Sequence, residues 1–303
     1  MSPRTVYTTV VPALLCSAIV HTALCAPQEE VLRREISRTS EKELMVSLDA
    51  SFGTLTIKKG NRDKIVAAEY SRPGDDKREL EMSYDISHGT GNLDISLTDE
   101  GRRKGRHSSS ISWEELKGDR AHPEDRELTT SFTDAIPLSL KVGVGAGRGD
   151  IDLTGLLVKS LKLSAGASSA ELRCDEPNEI ECEYVNIESG VSKFSARRLL
   201  NLNFRKLKFS GGVGSYSLDF GGQLRQKVYA EVEVGLGAIT VYIPKDIPTR
   251  IITDESWFSS VDVDDCYEKT RKSTYQNAAY DESGRSLTIK IGSGLGSIKV
   301  RSR

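Results

Sequence analysis

The sequence predicts an all-β protein: a stack of β-coils of about 22 residues each, a period in the range of solenoid repeats, preceded by a smaller β-region. Three observations predict it. Apolar and polar residues alternate at period two through most of 138–300, as in strands with one face turned inward. A glycine-centred unit recurs along the same span, and a fixed period is the mark of a repeat architecture. Glycine is frequent, at 26 residues, while aromatics make up only 6% of the chain, so many turns and few bulky core anchors are expected.

The repeat carries the fold. Its units read Leu140-Lys-Val-Gly-Val-Gly145, Leu161-Lys-Leu-Ser-Ala-Gly166, Val185-Asn-Ile-Glu-Ser-Gly190, Leu207-Lys-Phe-Ser-Gly-Gly212 and Glu231-Val-Glu-Val-Gly235, each followed by renewed alternation. The marker glycines Gly145, Gly166, Gly190, Gly212 and Gly235 recur at nearly even intervals, and a sixth copy around Gly294 closes the chain. A mid-strand glycine allows a bend where a Cβ would clash. One unit cannot bury its apolar face alone, whereas stacked units share a continuous core. Leu161/Leu163, Val185/Ile187, Leu207/Phe209 and Val232/Val234 are then expected in register.

The remaining segments follow in order. Arg4, an apolar run from Val10 to Ala23 and small residues through Ala26 read as a signal peptide over 1–26. The run is short of the ~20 apolar residues of a membrane span. A lipoprotein anchored through Cys25 or Cys16 is the alternative form of export. Residues 34–98 form an N-terminal β-region, with strands expected at Leu44–Ala50, Thr54–Lys58, Ile65–Tyr70, Leu80–Ile86 and Asn92–Leu97. Residues 99–127 are charged and serine-rich, and a polar loop with one short helical turn at Ser112–Glu115 is expected there. The repeat domain spans 128–303, with an insertion at 245–285.

The opening Leu44-Met-Val-Ser-Leu-Asp-Ala-Ser-Phe-Gly-Thr-Leu-Thr-Ile57, with Ile65-Val-Ala-Ala-Glu-Tyr70, resembles the N-terminal part of bacterial toast-rack family proteins. The tail, Ile247-Pro-Thr-Arg-Ile251, Tyr280 and Leu287–Val300, is similar to the C-terminal domain of cell-wall-active antibiotic response proteins and to β-solenoid proteins classed as adhesins. The resemblance implies a β-solenoid in the cell envelope and transfers no catalytic residue. No run of membrane helices precedes the domain, as one does in the antibiotic response proteins.

Composition narrows the function. Lys and Arg number 42 against 44 Asp and Glu, a balance that gives no electrostatic reason to expect nucleic acid as a partner. The histidines are His21, His88, His107 and His122, which leaves the repeat without one and excludes a histidine-based triad inside it. Asp262, Asp264 and Asp265 cluster, and Asp150 and Asp152 share a strand face; paired acids of this kind serve glycoside hydrolysis or hold calcium. Arg148-Gly149-Asp150 spells an adhesion tripeptide. Cys174, Cys182 and Cys266 remain beyond the signal segment; Cys174 and Cys182 could form a local disulfide in an oxidising compartment or remain small buried residues. No cofactor or metal is expected. The reading favoured is a non-enzymatic scaffold or interaction module whose partner is an envelope protein or a cell-wall polymer. A polysaccharide-active β-helix enzyme and a surface adhesin are the alternatives.

Overall fold

A computed structural model describes residues 29–74, 76–99, 125–254, 259–282 and 284–303. Residues 1–28 with Cys16 and Cys25, residues 100–124 with the expected helical turn, His107 and His122, and Trp257 lie outside the described residues. The rest is all-β. The strands are β1 (Glu29–Ser37), β2 (Glu43–Lys59), β3 (Lys64–Pro73), β4 (Arg78–Ser87), β5 (Thr90–Asp99), β6 (Glu127–Phe132), β7 (Leu138–Asp152), β8 (Val158–Arg173), β9 (Val185–Arg197), β10 (Lys206–Asp219) and β11 (Val228–Ile243). They continue with β12 (Thr249–Asp254), β13 (Ser259–Val263), β14 (Tyr267–Arg271), β15 (Thr274–Asn277) and β16 (Leu287–Ser302). All belong to one open sheet of sixteen strands.

Its centre is a parallel ladder, β2-β7-β8-β9-β10-β11-β16. Leu140 pairs with Leu161, Leu161 with Val185, Val185 with Leu207, Leu207 with Ala230, and Ala230 with Ile289. The expected register holds from Leu161/Leu163 through Val185/Ile187 to Leu207/Phe209, but on the next rung it is offset by two residues: Ala230 and Val232, rather than Val232 and Val234, pair with Leu207 and Phe209. The two halves expected at Leu44–Ala50 and Thr54–Lys58 form the single long strand β2, which pairs in parallel with β7 from Leu44↔Leu138 to Ile57↔Ile151. Strand β1 was not foreseen: its mixed charge masks the alternation, and it is held by antiparallel pairing to β3.

Each rung from β7 to β16 changes its inward parity at the marker glycine, and β2 does so at Ser51. In β7 the buried residues are Leu138, Leu140, Val142 and Val144, then Gly149 and Ile151. In β11 they are Val228, Ala230, Val232 and Val234, then Ile239, Val241 and Ile243. Strict alternation would send the second set outward. A bend at the glycine turns both arms of the strand toward one apolar core, which runs unbroken from Leu44 to Val300.

The two ends of the ladder are built alike. Beneath β2, β5 pairs with the first arm (Glu43–Asp49) and β6 with the second (Thr54–Lys59). Beyond β16, β12 takes Leu287–Gly292 and β13 takes Gly296–Val300. Antiparallel strands then cover these split rungs: β4 on β5, β3 and β1 on β6, and β15 and β14 on β12. Charged, antiparallel caps of this kind protect a ladder edge from further pairing.

Candidate functional site: the glycine corner and the groove beside it

The corner is built from backbone. Gly166, Gly190, Gly212, Gly235 and Gly294 stand in a column, each over the glycine of the preceding rung. A Cβ on Gly212 would lie 2.8 Å from the carbonyl oxygen of Gly190, and one on Gly294 would lie 2.7 Å from that of Gly235. Two residues on, Gly237 and Gly296 take φ of 136° and 145°, a region open to glycine and strained for other residues. Between these columns lies a row of outward side chains: Ala146, Ala167, Val191, Val213, Leu236 and Leu295. Val191 is 67% exposed and Leu295 51%.

Beside the corner, on the first arm, runs a groove of about 620 Å³. It crosses five rungs, from Asp49 on β2 to Lys208 and Ser210 on β10. At ~4.8 Å between strands its length is about 20 Å. Its floor is glycine backbone and serine, because Gly143, Ser164 and Ser210 stand where larger outward side chains would fill it. Asp49, Asn186, Glu188 and Lys208 supply polar groups along it, and Asn186 Nδ2 donates to Glu188 Oε1 at 3.3 Å.

Two other depressions are ionically self-satisfied. One, about 610 Å³, holds Glu43, His88, Thr90 and Lys159. Lys159 and Thr90 donate to the Glu43 carboxylate at 2.7 and 2.9 Å, and these bonds hold its pKa below the usual range. His88 sits on a turn with φ of 52° and contacts Ser87. The other, about 620 Å³, contains Arg198 and Arg303 paired to Asp175 and Asp219.

Of the acids singled out in the sequence, Asp150, Asp152, Asp262 and Asp264 are likewise engaged. Arg301 pairs with both Asp262 and Asp264. The hydrogen bond from Arg301 holds Asp262 below the ordinary carboxylate range, and Ser302 does the same for Asp264 at 2.6 and 2.7 Å. Burial raises the pKa of Asp152, but bonds from Thr154 and Arg173 outweigh it and leave it lowered. Arg173 also pairs with Asp150 at 3.1 Å. Asp152, Asp262 and Asp264 are thus held below the ordinary carboxylate range, whereas a general acid needs a raised pKa. Among the described residues, no group of three or more His, Cys, Asp or Glu is placed to hold a metal.

Arg148-Gly149-Asp150 lies within β7, with Gly149 facing the core and Asp150 ion-paired, rather than at a loop tip. Cys174 and Cys182 are free, buried thiols; burial pushes each to about 12. Each donates to a backbone carbonyl, Glu176 O at 3.2 Å and Tyr184 O at 3.4 Å. Thiols so held are unreactive at neutral pH. Cys266 is free and exposed.

Sequence reasoning passed over two sets of residues. The exposed aliphatic row had a plain signal, being the residue after each marker glycine. The buried asparagines Asn178 and Asn201 had none, since an isolated Asn in a connection reads as a turn residue. Asn178 Nδ2 donates to Val158 O at 2.7 Å and Leu202 O at 3.2 Å, while its Oδ1 accepts from Val158 N at 3.1 Å. Asn201 Nδ2 donates to Cys174 O at 2.9 Å, and Oδ1 accepts from Gln223 N at 3.0 Å.

No helix among the described residues is long and apolar enough to cross a membrane. No curated protein matches the sequence. Among solved structures, one described as a putative cell adhesion protein from Clostridium sporogenes ATCC 15579 aligns over 92% of this chain and 100% of its own, at 20% identity and a TM-score of 0.45. Another, described as a putative adhesin from Bacteroides fragilis NCTC 9343, aligns over 91% and 99%, at 12% identity and a TM-score of 0.39. Likeness at that level carries no functional argument. The family models say more. Residues 197–300 match the model described as "Cell wall-active antibiotics response LiaF, C-terminal". Residues 27–197, more than half of the sequence, match the N-terminal domain of toast_rack, and the chain belongs to the toast-rack family.

Proposed function

We propose that this protein is an exported, non-enzymatic scaffold of the cell envelope, whose first-arm groove binds an envelope protein or an extended wall polymer. The ladder is read as a β-solenoid of about 22 residues per coil, within the usual span of stacked repeats, with the glycine column as one of its corners. In-register marker glycines and the shared change of burial parity support that reading. The leader over 1–26 is removed on export, or gives a lipid anchor at Cys25 or Cys16.

The observation that carries the binding role is the groove. It is continuous over five rungs, open, and floored by backbone. Such a trough suits a long ligand that lies along the stack and meets amide, hydroxyl and charged groups at intervals. A compact substrate would need an enclosed pocket with convergent polar groups. The toast-rack and antibiotic-response models support an envelope setting, and the ion-paired carboxylates supply no general acid.

The test is co-sedimentation of residues 27–303 with isolated cell-wall and outer-surface fractions. Saturable pelleting with one fraction is expected. The double change Asn186→Ala with Lys208→Ala should reduce it at least about tenfold while the far-UV spectrum is unchanged, because interface polar groups of this kind are worth about 1–3 kcal/mol together. Pelleting with no fraction, or pelleting untouched by the double change, overturns the groove as the site.

A further inference from the structure

We propose that the glycine corner is a self-association surface, on which two copies of this chain pack ridge to ridge about a two-fold axis parallel to the stack. The proposal does not rest on the ligand of the groove.

The ridge is the row that follows the marker glycines. Its side chains enlarge along the ladder, from Ala146 and Ala167 through Val191 and Val213 to Leu236 and Leu295. The register stacks them directly: Val213 pairs with Val191 and with Leu236, and Leu236 pairs with Leu295. Val191 is 67% exposed, Val213 46%, Leu236 47% and Leu295 51%. Scattered surface aliphatics need no explanation, whereas four in one contiguous line form a patch of the kind that marks an interaction site. The flanking Gly and Ser residues leave the ridge standing free, so that a second ridge can approach it without obstruction.

Charge selects the occupant. On the first arm, lysines of one column (Lys141, Lys162, Lys208) are offset by acids of the next (Asp49, Glu188, Glu233). The corner thus presents no cationic strip for anionic lipid headgroups. On the rung of Val191, the most exposed of the four aliphatics, Glu188 stands on the first arm and Lys193 on the second, both exposed. Neither has an ion-pair partner among the described residues.

Symmetry selects the orientation. A two-fold axis parallel to the stack sets each rung against its own copy and each first arm against a second arm. Glu188 of one copy then faces Lys193 of the other, twice, across the two Val191 side chains. A perpendicular axis centred on β10 would instead bring Glu188 against Glu233, like charge on like. An isologous contact requires a self-complementary patch, and only the parallel arrangement makes this one so. Four half-exposed aliphatics fall short of the ~800 Å² per partner of a standard interface, so the dimer is reversible and concentration-dependent.

Sedimentation velocity on residues 27–303 between about 1 and 100 μM tests this, a range chosen to span micromolar affinity. The expected result is a rise from monomer to dimer across the range. Leu236→Asp, or Val191→Asp should the first fold poorly, weakens the dimer at least about tenfold with an unchanged far-UV spectrum. Glu188→Lys and Lys193→Glu each weaken it, and the double reversal E188K/K193E restores it, because charge pairs across an interface set register. A monomer at every concentration overturns the proposal, including one that pellets with anionic lipid vesicles. So does a dimer indifferent to Leu236→Asp, or a double reversal as weak as the single ones.

Discussion

The two sides of each rung meet the same difficulty by opposite means. At the corner and in the connections between rungs, the chain turns and its backbone leaves the regular ladder. The corner meets this by removing side chains: Gly212 stands over Gly190 and Gly294 over Gly235, so close that a Cβ would fall within 3 Å of a carbonyl oxygen. The connections meet it by adding a side chain that imitates backbone. Asn178 and Asn201 reach across to Val158, Leu202, Cys174 and Gln223, and pair donors and acceptors that would otherwise be buried alone. The first device works through the absence of an atom and leaves a smooth exposed surface. The second works through buried polar groups and leaves none.

The largest effect expected separates the corner from the strand around it. Gly296→Ala places a Cβ against the carbonyl of Gly237 at a residue whose φ is 145°. Backbone strain of about 1–3 kcal/mol adds to a similar overpacking cost of about 1–3 kcal/mol. Gly292→Ala, in the same strand, meets only Asp254 Cβ at 3.6 Å and should change stability by less than about 0.5 kcal/mol. Urea unfolding of both variants measures the gap. Equal midpoints would mean that the corner is no tighter than the rest of β16.

That asymmetry also explains what was legible. The corner recurs at a nearly constant interval with one residue type at its centre, so a single sequence displays it. The core row does so too, because Leu161, Val185 and Leu207 each open an alternating run. The groove was hidden, since it consists of small residues at outward positions, such as Ser164 and Ser210, whose meaning depends on what lies a rung away. The caps were legible only in part: strands at Ile65–Tyr70 and Leu80–Ile86 were expected and form β3 and β4, whereas β1, with Glu30, Arg33, Arg34 and Glu35, owes its strand form to β3 rather than to its own pattern. A polar candidate such as Asp262 was visible, but its pairing to Arg301, 39 residues on, was not.

The second effect tests the asparagine side. Asn201→Ala orphans the buried carbonyl of Cys174 and the amide of Gln223. The cost expected is about 1–3 kcal/mol for each buried polar group left unpaired. Asn203 is less buried and makes one such bond, to Ile180 O at 2.9 Å, so Asn203→Ala should cost less. The two variants unfolding at the same urea concentration would show that these bonds are replaced by water, and the contrast with the corner would then lose its second half.

The smallest effect lies between the two sides, on the outer face of the second arm. There Asp152 of β7 pairs with Arg173 of β8 at 3.1 Å. Both are about a quarter to a third exposed, and an ion pair so placed is worth at most about 1 kcal/mol after screening. Burial raises the Asp152 pKa, but Thr154 and Arg173 outweigh it, so the folded value is below the ordinary 3.8. A depressed carboxyl stabilises the fold above its unfolded pKa and loses that stabilisation as pH falls through its folded value. Asp152→Asn should therefore cost up to about 1 kcal/mol at pH 7, and the gap from the parent protein should close below pH 3.8. Urea midpoints of both proteins from pH 7 to 3 measure it. A gap that stays constant across that range would assign the cost to the lost Thr154 turn instead of the charge. The rungs would then be tied by backbone and core alone, with glycine and asparagine as the devices that set their shape.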